Sequence, residues 1–192
     1  MLTSSPARRI IGTIHKKAVT KLGIILKTKR LLLRPLTLDD AEEAYRNWTS
    51  DPEVARFMRW EVHDGPAVTR AWLVADAQDE KTHNFGFVRK DTGALIGCGG
   101  LCWSKDHGLY ELGYNIMKSC WNQGYTTEAA QALVVYARDE LHQKRLFCCH
   151  AVDNPASGRV MKKAGFVYQR DGSYTNFDGT RHFACREYLL EF

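Results

Sequence analysis

Apolar residues along this chain alternate between two spacings, and each change of spacing marks an element. A run through Leu31, Leu32 and Leu33 makes 26–35 a first strand, ended by Pro35. Thr37 then offers an N-cap with Asp40 three residues on. Asp39, Asp40, Glu42 and Glu43 favour the first turn of a helix reaching about Trp48. Asp51-Pro52 opens a short second helix through Met58, and Trp72, Leu73, Val74 and Ala77 mark a third over 67–78. The middle of the chain is strand, at 84–90, 94–103 and 109–117. The turns Asp91-Thr92-Gly93 and Lys105-Asp106-His107-Gly108 are short enough to require an antiparallel meander. From Ala129 the spacing becomes helical, with Ala130, Leu133, Val134, Ala137 and Leu141 on one face. An apolar strand at 145–152 follows, then a helix opened by Asn154-Pro155 and ended by Gly165. Strands at 166–170 and 182–190 close the chain around Asn176-Phe177-Asp178-Gly179. This order predicts a mixed α/β sheet with a βαβ crossover in its second half.

A chain of 192 residues can bury one sizeable core. No apolar run approaches the roughly 20 residues that cross a bilayer, and no basic–aromatic interleaving suggests nucleic-acid readout. The net charge of +5 is unevenly placed. Residues 1–38 hold nine of the 27 Lys and Arg and none of the 22 Asp and Glu, so the remainder is mildly acidic. Residues 1–25 therefore read as a basic extension, helical through Ile10, Ile14, Ala18 and Leu22, and 26–192 as a single domain. The extension suits an arm packed on the body, a basic tail for an anionic partner, or an import presequence. The six cysteines (Cys98, Cys102, Cys120, Cys148, Cys149 and Cys185) lack zinc-type spacing and sit mostly in apolar strands. Reduced thiols and a cytoplasmic setting are the expectation, with no metal.

Chemistry concentrates in three places. The glycine turn at Trp121-Asn122-Gln123-Gly124 opens a helix at Tyr125-Thr126-Thr127, leaving backbone amides unpaired with the positive helix end behind them. Such amides suit a phosphate or pyrophosphate, although an ordinary strand-to-helix turn explains the same residues. Glu111 lies on the strand leading into that turn, and Asn154-Pro155-Ala156-Ser157 opens the next helix. If the flanking strands lie side by side, all three meet where parallel strands end. By themselves Glu111 also reads as a solvated strand residue, Asn154 as an N-cap and Ser157 as a small first-turn residue.

Taken together, these segments resemble the GNAT superfamily of acyl-CoA-dependent N-acetyltransferases, most of all its ribosomal-protein-alanine branch. The resemblance runs from about Lys27 to the C-terminus. It rests on Thr28-Lys29-Arg30-Leu31-Leu32-Leu33-Arg34-Pro35-Leu36, Ser50-Asp51-Pro52-Glu53-Val54 and Leu95-Ile96-Gly97. It is strongest in Glu111-Leu112-Gly113-Tyr114, in 121–130 and in 154–166. It implies a mostly antiparallel sheet of about seven strands, splayed between the fourth and fifth. It also implies acetyl-CoA as cofactor, its pyrophosphate on the amides of Asn122, Gln123, Gly124, Tyr125, Thr126 and Thr127. Its pantetheine would run along Ile116 and Met117, with a hydrogen bond from Asn154. An amide of the 116–117 strand would stabilise the thioester oxygen. Direct attack by an amine then needs Glu111 as general base, and Ser157 as proton donor to the thiolate, because Met161 replaces the tyrosine many members use. His150, on the preceding strand, reads as a packed core histidine. The acceptor is a peptide or protein α-amine or a small-molecule amine, with Arg56, Trp60, Tyr174 and Phe177 as candidate contacts. The α-amine is favoured by its pKa of about 7.7–8.0 against about 10.4 for lysine. A homodimer is admitted by analogy. A non-catalytic acyl-CoA-binding module and a nucleotide-binding protein remain the competing functions.

Overall fold

The computed structural model describes residues 23–192. The expected basic helix through Ile10 to Leu22 lies outside the described residues. The strands are β1 (Leu26–Lys27), β2 (Leu31–Pro35), β3 (Thr82–Arg89), β4 (Leu95–Ser104), β5 (Leu109–Ile116), β6 (Arg145–Ala151), β7 (Val167–Thr175) and β8 (His182–Glu191). The helices are α1 (Ala41–Ala44), α2 (Pro52–Ala55), α3 (Pro66–Gln78), α4 (Tyr125–Asp139) and α5 (Pro155–Lys163). Among the described residues the strands make one sheet in the order β1-β2-β3-β4-β5-β6-β8-β7. Every neighbouring pair is antiparallel except β5 and β6, which α4 joins by the expected crossover.

The second helix stops at Ala55, short of Met58, and three other expected elements differ, each for a local reason. The first strand is broken at 28–30, so there are eight strands where about seven were expected. Thr28 closes the reversal, donating its amide to the Leu31 carbonyl at 3.0 Å and accepting the Leu31 amide on its hydroxyl at 2.9 Å. Chain reversal then lays Leu26 beside Leu33. The first helix changes pitch, from a 3₁₀ turn (Leu38–Asp40) through α1 to a π turn (Tyr45–Thr49). At the wide turn Ser50 donates both its amide and its hydroxyl to the Tyr45 carbonyl, at 3.2 and 2.7 Å. Along the same segment Glu43 accepts the Leu95 amide at 2.9 Å, and Asn47 donates to the Leu95 carbonyl at 2.6 Å. Leu95 needs both partners because the β3–β4 register shifts between Phe87 and Val88. The third difference is β7, which runs to Thr175 rather than Arg170. As an edge strand it is mostly exposed on both faces, so it lacks the alternation by which a sequence reveals a strand.

Two apolar clusters cover the sheet's two faces. The larger unites Leu31, Leu33, Phe85, Phe87, Ile96, Leu112 and Leu146 with Ala129, Ala130, Leu133 and Ala137 of α4 and Met161 of α5. The smaller joins Ala44, Trp48 and Val54 of the N-terminal helices to Leu95 and Cys98. Central β4 is buried on both sides through Leu101.

Candidate active site

β5 and β6 pair at only two positions, Tyr110 with Leu146 and Glu111 with Phe147. Beyond Glu111 they separate, although β5 runs on to Ile116 and β6 to Ala151. Each is held by its other neighbour, β5 by β4 along its whole length and β6 by β8. A gap thus opens in the sheet with Glu111 at its apex. Met117 donates its amide to the Ile96 carbonyl at 2.8 Å. Antiparallel alternation therefore turns the peptide groups of Tyr114 and Ile116 toward the gap. This corrects the expectation for Met117, whose amide is committed to β4. The Ile116 carbonyl is also taken, by the Trp121 indole N–H at 2.9 Å.

The gap leads to the start of α4. Gly124 adopts φ 81° and ψ 0°, and Asn122 also has a positive φ of 59°. Among the described residues the amides of Asn122, Gln123, Gly124, Tyr125, Thr126 and Thr127 have no internal acceptor. They form a cradle of free donors at the start of α4, an arrangement that suits an anion. Arg30 fixes its base, a role the sequence did not reveal. Its Nε meets Glu128 at 2.7 Å, its amide donates to the same carboxylate at 2.6 Å, and its Nη1 donates to the Gln123 carbonyl at 2.9 Å. The Arg30 guanidinium also lies 4.2 Å over the Tyr125 ring. Glu128 is pulled up by burial, but the bonds from Thr28 and Arg30 outweigh this and hold its carboxyl below the usual range.

At the apex, Glu111 is mostly shielded, its side chain 24% exposed. The Cys149 thiol donates to Oε1 at 3.7 Å, and Arg59 Nη2 stands 4.0 Å from Oε2. Burial raises the Glu111 pKa, and Arg59, Cys149 and His107 only partly oppose it. A carboxylate so placed takes a proton more readily than an ordinary glutamate. Arg59 is the second residue the sequence did not reveal, since 52 positions separate it from its partner and no local pattern links them.

Across the gap, Asn154 caps α5, its Oδ1 accepting the Ser157 amide at 3.3 Å. The Tyr114 hydroxyl donates to the Ser157 carbonyl at 3.0 Å and lies 3.1 Å from Ser157 Oγ. Tyr114 so bridges β5 to the mouth of α5, and burial raises its pKa. His150 is a packed core histidine, as expected: its Nδ1 meets the Ala151 carbonyl at 2.8 Å, its Nε2 meets the Tyr188 hydroxyl at 3.3 Å, and burial lowers its pKa.

The Glu111 face is roofed by the loop 56–61, strapped to the β7–β8 hairpin. Tyr174 donates to the Phe57 carbonyl at 2.7 Å, and the Phe177 amide to the Arg59 carbonyl at 2.7 Å. Arg181 donates to the carbonyls of Arg56, Met58 and Trp60 at 3.2–3.3 Å. Of the candidate acceptor contacts, Arg56, Trp60, Tyr174 and Phe177 all belong to this assembly. A cavity of about 340 Å³ lies along β5, β6, β7 and β8, lined among others by His107, Phe147, Arg170 and Glu187. Among the described residues no cluster of His, Cys, Asp or Glu is arranged to hold a metal, and no helix is long and apolar enough to cross a membrane.

Comparison with known proteins agrees with this geometry. Residues 30–167 match the family model "Acetyltransferase (GNAT) domain". The chain is 33% identical over 152 residues to the Bacillus subtilis protein named "Uncharacterized N-acetyltransferase YoaA", covering 77% of this chain and 84% of that one. A GNAT-family acetyltransferase from Bacillus anthracis superposes with a TM-score of 0.76 at 24% identity, covering 88% of this chain and 98% of the other. A Vibrio cholerae protein, provisionally described as a ribosomal-protein-serine acetyltransferase, gives 0.74 at 20% identity, covering 89% and 99%. An open sheet, a cradle of free amides and a family match over most of the chain lead to one assignment: the protein belongs to the GNAT acetyltransferases and is an N-acetyltransferase acting on an amine acceptor.

Proposed function

We propose that the protein moves an acetyl group from acetyl-CoA to a primary amine, foremost the α-amine of a peptide or protein, with Glu111 as general base. The carrying observation is the gap that opens at Glu111 and ends at six unpaired amides. The fit to the cofactor is physical: those amides and the α4 dipole suit a diphosphate, and the open edge at Tyr114 and Ile116 suits an extended amide-bearing arm. When bound, the cofactor supplies an activated acetyl thioester.

The residues of this chain then divide the work. An amine arriving as ammonium must lose a proton before it can attack, and Glu111 takes it on Oε1 or Oε2, directly or through one water. Burial makes Glu111 a stronger base than a surface glutamate, while Arg59 keeps enough charge nearby for it to ionise. As the nitrogen–carbon bond forms and the sulfur–carbon bond breaks, Ser157 Oγ holds a proton to give to the sulfur, with Tyr114 beside it at 3.1 Å. The Ile116 amide, facing the gap, is placed to stabilise oxyanion charge. The preference for a peptide acceptor draws on α-amine chemistry and on the Vibrio cholerae relative.

Glu111→Gln tests this. With acetyl-CoA and an amine panel, kcat is expected to fall about 100-fold or more while coenzyme A binding by calorimetry is retained. In the wild type, the acid limb of kcat/KM is expected above the ordinary glutamate value of about 4.3. Because the folded pKa is raised, the ionised carboxylate costs stability, which declines as pH rises from the ordinary range through the raised value. The Gln variant is therefore expected to melt no lower than wild type at pH 7. Undiminished turnover in Glu111→Gln would remove Glu111 from the mechanism.

A further inference from the structure

Arg59 is held more firmly than a residue that only shields a carboxylate needs to be. Its carbonyl accepts the Phe177 amide at 2.7 Å, its Nη1 donates to the Thr175 carbonyl at 3.2 Å, and its guanidinium lies 4.9 Å over the Tyr174 ring. The loop carrying it is clamped on both sides by Arg181. Yet the side chain keeps 37% of its surface open, and its Nη2 stands 4.0 Å from Glu111 Oε2, beyond hydrogen-bond length. A rigid guanidinium with unused donors and a carboxylate with unused lone pairs thus face the same space.

We propose that Arg59 selects the acceptor: its guanidinium receives the carbonyl or carboxylate oxygen next to the reacting amine while Glu111 receives the amine, so the enzyme acts on α-amino carbonyl compounds rather than on alkyl amines or polyamines. This rests on the reading of Glu111 as the base at the reacting centre. The spacing suits such a ligand. Standard bond lengths put the nitrogen and oxygen of an N–Cα–C=O unit about 2.7–3.6 Å apart, close to the 4.0 Å between the two protein groups. An alkyl amine leaves Arg59 unsatisfied, and a polyamine brings further positive charge to it.

The test compares alaninamide with 2-amino-3-methylbutane, which has nearly the same shape without the carbonyl, and with spermidine, all expressed per unprotonated amine. Wild type is expected to favour alaninamide in kcat/KM by about 10- to 100-fold, the worth of one charge-assisted hydrogen bond. Arg59→Leu is expected to collapse that ratio toward unity. It should also move the acid limb upward, because Glu111 loses its nearest cation and is left among Cys149, His107, Asp106 and the thiols of Cys102, Cys148 and Cys185. Arg59→Lys keeps the charge but not the planar fork, so the ratio falls while the acid limb stays, and it serves if the Leu variant does not fold. An unchanged ratio in the folded variants, or a wild type that prefers the alkyl amine or spermidine, overturns the inference and leaves the acetyltransferase reading intact. No turnover of any amine overturns the reading of Glu111, and the inference falls with it.

Discussion

At Gly158 the first turn of α5 passes so close to β6 that a Cβ would stand 2.5 Å from His150 Nε2. The imidazole cannot retreat, because the Ala151 carbonyl and the Tyr188 hydroxyl hold its two nitrogens. Gly158→Ala is therefore expected to cost about 1–3 kcal/mol in urea denaturation through overpacking. Ser157, one residue earlier, shifts with it, so turnover should fall as well. Local runs made Glu111, Ser157 and Asn154 legible in the sequence as candidates. Arg30, Arg59 and Tyr114 were not, because their partners Glu128, Glu111 and Ser157 are brought to them only by the fold.

Among the elements, α4 carries both the core and the cradle. Its buried face (Ala129, Ala130, Leu133 and Ala137) follows the helical spacing read from the chain, with Val134 and Leu141 packed at its edge. Its N-terminal end depends on Gly124 in the left-handed region, where a Cβ costs about 1–2 kcal/mol and would lie 3.4 Å from Arg30 Nη2. Gly124→Ala is expected to lower stability by about that amount. It should also weaken coenzyme A binding in calorimetry, because the Gln123–Tyr125 amides turn with the backbone. Unchanged affinity would place the diphosphate elsewhere. The N-terminal helix was less legible than α4. Its π turn arises from the needs of Leu95 and Ser50, which no periodicity encodes.

For the molecule as a whole, Arg34 and Asp40 fasten the sheet to the N-terminal helices. The guanidinium grips Asp40 through two bonds of 2.7 and 2.8 Å, and the Thr37 amide adds a third at 2.7 Å. Burial alone would raise the Asp40 pKa, but these donors prevail and hold it below the usual aspartate value. A carboxylate with a lowered folded pKa lends stability above its unfolded value of about 3.9 and loses it as pH falls through the folded one. Asp40→Asn is thus expected to cost about 2–4 kcal/mol at pH 7, and the gap from wild type should shrink as the pH is taken below about 4. Equal stability losses at pH 7 and pH 3 would show that packing, and not charge, is what Asp40 supplies.

Period and turn chemistry, which depend on neighbours a few residues apart, determined the meander, the crossover helix, its glycine start and the capped helix at Asn154. Family likeness in those same runs pointed to Glu111 and to the amides at 122–127. The tertiary structure decided where the sheet opens, because β5 and β6 each find a full partner on their far side and share only two pairs. It also decided which amides stay free and which cation stands beside Glu111. Those are contacts between residues tens of positions apart, and local spacing carries no trace of them.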